Sequence, residues 1–71
     1  MKYINHEITL DFPATPLLAS LMEEAEEADR KESYEYGCIA EAIDVLGKQY
    51  YAEKRISKAQ WELLCQKYPS D

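Results

Sequence analysis

Between Tyr34 and Glu53 the apolar residues spread over more than half the circumference of a helix, and that breadth limits the fold more than any other feature. At about 100° per residue, Tyr36, Ile39, Ala40, Ile43, Leu46 and Tyr50 form one stripe, and Cys38, Ala42 and Val45 widen it. Only Glu41, Asp44 and Lys48 mark a clearly solvated arc. So wide an apolar arc belongs to a helix covered on two sides, so this segment is expected at the centre of a helical domain. Gly37 and Gly47 interrupt it, each costing up to about 1 kcal/mol relative to Ala. They are tolerable where a neighbouring backbone packs close.

The flanking segments supply the covers. Thr15 before Pro16 reads as N-cap and first helical residue, and Leu18, Leu21, Met22 and Ala25 then recur at spacings of three and four. Asp29 and Glu32 would fall back on that stripe, which predicts a bend or an end near Ala28 to Lys31, with Ser33 as the next N-cap. Ser57 and Gln60 fit a capping box with Ile56 ahead of it, and Pro69 stops the last helix. Leu63 and Ala59 continue from Ile56, while Trp61, Leu64, Cys65 and Tyr68 lie round the far side. The expected fold is all-α: one domain over 1–71, with helices at about 16–31, 34–54 and 57–68. Ahead of them, Ile4, Ile8, Leu10 and Phe12 alternate with polar residues, which predicts an extended N-terminal arm over about 2–12 with one covered face.

Charge bounds the partners. Glu23, Glu24, Glu26, Glu27, Asp29, Glu32 and Glu35 crowd one stretch against Arg30 and Lys31, and acids and bases balance after Glu35, so the whole net charge of −6 lies in the first half. That sign disfavours direct nucleic-acid binding. Lys48, Lys54, Arg55 and Lys58 gather near the last corner, but the helix beyond it offers Trp61, Leu63, Leu64 and Cys65 rather than base-reading polar groups. No apolar run is long enough for a membrane span and no signal-peptide pattern opens the chain. Two cysteines are too few for a disulfide scaffold. A reduced, cytoplasmic setting is expected.

Catalytic and metal motifs are scarce. His6 is the only histidine and reads as a half-buried or surface ring. A zinc site from Cys38, Cys65, His6 and a carboxylate lacks paired ligand spacing, and the cysteines read better as buried small apolar groups. The corner Gln49–Gln60 fails as a calcium loop, with Gln49 and Tyr51 where the first two carboxylates belong, Lys54 in place of the central Gly and Gln60 in place of the closing Glu. The same corner is similar to the helix-turn-helix of the short C-terminal oligomerisation domain family, but that family's Gly is missing, and it reads as a common αα-corner. No cofactor, no metal and no enzymatic activity are expected.

Aromatic content is the better functional hint. Six tyrosines and one tryptophan exceed what a small core easily buries, and both residues are favoured at interfaces. Tyr36, Tyr50, Trp61, Leu64 and Tyr68 are therefore the candidates for binding another protein. The two-sided central helix, the patch Trp61-Leu64-Cys65-Tyr68 and the unpaired arm further predict a homodimer. The alternative is that Glu23, Glu24, Glu26 and Glu27 form an acidic face that imitates nucleic acid and occupies the basic groove of an enzyme.

Overall fold

A computed structural model describes residues 3–70. Among the described residues it is all-α, with three helices and no strand: α1 (Pro16–Arg30), α2 (Glu35–Ala52) and α3 (Lys58–Lys67). α2 is central, and α1 and α3 pack against it. The expected start of the arm at residue 2 lies outside the described residues.

Local chemistry sets each helix start. Thr15 Oγ1 accepts the Leu18 N–H at 3.2 Å, and Pro16 has no N–H that would need a partner there. At α3 the capping box closes both ways: Gln60 N–H donates to Ser57 Oγ at 3.1 Å and Ser57 N–H donates to Gln60 Oε1 at 2.8 Å. The start of α2 departs from expectation. Tyr34 is the N-cap and makes no side-chain cap bond, while Ser33 Oγ accepts the Glu35 N–H at 3.1 Å from one position earlier.

The two interhelical turns are built alike. After α1, Ser33 N–H donates to Ala28 O and Glu32 N–H to Asp29 O; after α2, Arg55 N–H donates to Tyr50 O and Lys54 N–H to Tyr51 O. This is the Schellman arrangement, which needs a left-handed residue past the C-cap. Glu32 (φ 52°) and Lys54 (φ 63°) occupy it without being glycine. The second turn also sets the Arg55 guanidinium 5.3 Å from the Tyr50 ring centroid.

The arm is tied down rather than unpaired. Asn5 N–H donates to Lys67 O at 2.9 Å, Lys67 Nζ donates to Ile8 O at 2.8 Å, and Tyr3 and Ile4 both donate their N–H groups to Asp29 Oδ1. The alternation holds: Ile4 is buried, Ile8, Leu10 and Phe12 are half-buried, and Asn5, Glu7, Thr9 and Asp11 are exposed. His6 is the exception, exposed because the chain turns at His6–Glu7, where Asn5 Oδ1 accepts the Glu7 N–H.

α1 ends at Arg30, inside the expected window of Ala28 to Lys31, but Asp29 is not what ends it: Asp29 lies within the helix and faces inward at 2% exposure. The arm's amides satisfy the buried carboxyl, so an acid on the apolar stripe is compatible with an unbroken helix.

The capping box gives a direct check. Ser57→Ala should lower the unfolding free energy by about 0.5–2 kcal/mol and Lys58→Ala by little, as read by chemical denaturation. Equal, negligible losses would place the start of α3 elsewhere.

Candidate functional site

The aromatic candidates are mostly core. Tyr36, Tyr50, Leu64 and Tyr68 are buried in the single chain, so the expected Trp61-Leu64-Cys65-Tyr68 patch is largely covered from within. Tyr36 stacks on Tyr3 with centroids 4.7 Å apart, and the Tyr50 hydroxyl lies 2.5 Å from Thr15 Oγ1. The arm and α1 thus reach rings that helical periodicity leaves available. Tyr68 is buried with its hydroxyl pushed up to about 12, by desolvation first and the Glu26 carboxylate second.

Trp61 is half-buried and alone among the five keeps surface. Its Nε1–H donates to Asp44 Oδ1 at 3.2 Å, and its ring stacks on Tyr51 at 5.4 Å. The same Asp44 oxygen accepts from Cys65 Sγ at 3.0 Å. Burial, then Asp44, pushes the Cys65 thiol up to about 12, which leaves it protonated and unreactive at neutral pH. Cys38, expected to be buried, is exposed on α2. His6 stands elsewhere again, beside Asp29 and Glu26. Among the described residues no cluster of three His, Cys, Asp or Glu could hold a metal ion, and no helix is long and apolar enough to cross a membrane.

These values carry a pH consequence. The Cys65 and Tyr68 folded-state values lie above the ordinary 9.0 and 10.0. Each group contributes stability that is whole below its ordinary value and is lost as pH rises toward about 12. The denaturation midpoint should fall through that alkaline window, less steeply in Tyr68→Phe. At pH 8 iodoacetamide should alkylate Cys38 well before Cys65; equal rates would contradict this placement.

The acidic face is partly neutralised. Glu23 and Glu24 are exposed, but Glu27 pairs with Arg30 and, at 3.1 Å, with Lys31. The Lys31 hydrogen bond, then the Arg30 charge, holds the Glu27 carboxyl below its usual value. Glu26 is half-buried, 3.9 Å from His6 Nδ1.

What the candidates omitted is the outer face of α2. Tyr36, Ala40, Ile43, Leu46, Gly47 and Tyr50 are buried under α1, α3 and the arm, whereas Cys38, Ala42 and Val45 are exposed. With Leu21, Leu46, Glu41 and Gln49 they line a shallow groove along the α1–α2 edge. Val45 is 61% exposed, and Leu17, one turn before Leu21 on α1, is 59% exposed. The signal was in the sequence, since Cys38, Ala42 and Val45 widen the stripe beyond what two neighbours cover. No protein-family model, curated protein or solved structure matches the chain.

Proposed function

We propose that this is a non-catalytic interaction protein that binds another protein chain through the outer face of α2. The observation that carries this reading is the exposure of Val45 beside Leu21, Ala42 and Cys38, with Leu17 exposed one helical turn before Leu21, in a chain whose other large apolar residues mostly pack on its core. A contiguous exposed apolar patch rimmed by polar residues marks an interaction site, and an apolar helix face is a recurring element of such sites. The aromatic contribution narrows to Tyr34, which is 94% exposed at the N-cap of α2, and to the Tyr51–Trp61 stack.

The acidic-mimic reading keeps one favourable observation, the exposure of Glu23 and Glu24. A photo-crosslinking residue at position 45 or position 23, in the cell that makes the protein, separates the two. The docking reading expects a discrete crosslinked protein, including one of twice the chain's mass, from position 45 and none from position 23. Crosslinks from position 23 alone would favour the mimic and overturn it.

A further inference from the structure

We infer that the occupant of this face is the same face of a second copy of the chain, packed antiparallel; the assignment rests on the docking reading above and names its partner. Cys38, Ala42, Val45, Gln49 and Ala52 succeed one another at spacings of four, three, four and three. That is the heptad rhythm that keeps one seam of a helix turned to a partner helix. All five lie outside the buried set of α2, and none is larger than Gln, so two backbones can approach closely along the seam.

The flanks of the seam fix its direction. On one flank Ile39 and Leu46 are committed to the core, and Leu46 lies beside Leu21 of α1. On the other flank Glu41 and Lys48 are exposed, one heptad apart. A parallel pair sets Glu41 and Lys48 against the Ile39–Leu46 flank; an antiparallel pair sets like flanks together, so that Glu41 and Lys48 can meet each other. In the antiparallel register with Ala42 opposite Val45 of the second copy, Cys38 faces Gln49 and Glu41 faces Lys48. Two-fold symmetry forms the Glu41–Lys48 pair twice.

The Glu41–Lys48 flank is therefore complementary in charge to its own copy, although the chain as a whole carries −6. Glu24 and Glu27 edge the Ile39 flank beside Lys31, where Glu27 is paired with Arg30 and Lys31. Leu21 lines the groove on the α1 side, with Leu17 exposed one turn before it, and the second copy is expected to cover both.

Sedimentation equilibrium on the full reduced chain is the test. Wild type should dimerise at about 100 µM or below, as an interface of modest area allows. Val45→Glu should be monomeric throughout. Glu41→Lys and Lys48→Glu should each weaken the dimer about tenfold, and combining them should restore it to within about threefold of wild type. Circular dichroism confirms that each variant is folded.

Register has its own readout. Gln49→Cys, oxidised with glutathione disulfide, should give a covalent dimer that Cys38→Ser abolishes. Within one chain the two positions stand about 16 Å apart along the helix, beyond the reach of a disulfide. A wild-type monomer at every concentration would overturn the second-copy assignment, and crosslinks from position 45 in the cell would then still leave the docking reading standing. A dimer indifferent to the charge swap, or a covalent Gln49→Cys dimer that survives Cys38→Ser, would overturn the proposed packing.

Discussion

Asp29→Ala should lower the unfolding free energy by about 2–4 kcal/mol, out of the roughly 4–10 kcal/mol expected of a chain this size. Asp29 is 2% exposed and its Oδ1 accepts the N–H groups of Tyr3 and Ile4, while Oδ2 lies 3.4 Å from His6 Nε2. Alanine removes the acceptor and leaves the Ile4 amide buried without a partner, which costs more than the hydrogen bond itself contributes. The arm should then detach: Ile4 loses its burial and Tyr3 its stack on Tyr36. Asp29→Asn keeps an oxygen for the same amides and should cost clearly less. Denaturation of the two variants, with protease cleavage of the arm as a second readout, checks this. Equal losses for Ala and Asn would mean that the carboxyl oxygen does not hold the arm.

At Gly47 a Val should cost about 3 kcal/mol, near the upper end for overpacking a core. A Cβ there would lie 2.9 Å from both Leu64 Cδ2 and Trp61 Cδ1. Neither can swing away. Leu64 is fully buried, and Trp61 is held by Asp44 and stacked on Tyr51. Gly47→Ala meets the same contacts and should lose stability despite its better helix propensity. Gly37 is the internal control, because a Cβ there meets nothing within 4 Å. Gly37→Ala should gain up to about 1 kcal/mol. The two alanine variants thus shift the thermal midpoint in opposite directions, and a gain at both positions would contradict the close packing of α3 on Gly47.

The helical layout was legible in the sequence because its signals are local. Thr15-Pro16 and the Ser57/Gln60 box act on residues within one turn, and the observed helices fall within two residues of those expected. Other features depend on neighbours far along the chain. Asp29 looks misplaced on an apolar stripe until the amides of Tyr3 and Ile4, 26 and 25 residues away, are brought to it. The left-handed Glu32 and Lys54 carry no glycine to announce them. Tyr36, Tyr50 and Tyr68 could be placed on helix faces but not assigned a cover, since periodicity gives the direction of a side chain and not what lies over it. The breadth of the α2 stripe was read correctly as asking for covers on two sides. That α1 and α3 leave Cys38, Ala42 and Val45 outside depends on where they cross α2, which the stripe does not record.

Both the docking role and the second-copy packing require the outer face of α2 to be open in the single chain. Methyl NMR with a soluble paramagnetic cosolute measures this most directly, in dilute protein and again with rising concentration. In dilute solution the Val45 and Ala42 methyls should broaden strongly while those of Leu18 and Leu64, fully buried, stay sharp. As an occupant arrives, Val45 and Ala42 should become protected and Leu17 with them. Val45 methyls as protected as those of Leu64 at the lowest concentration would contradict an open α2 face.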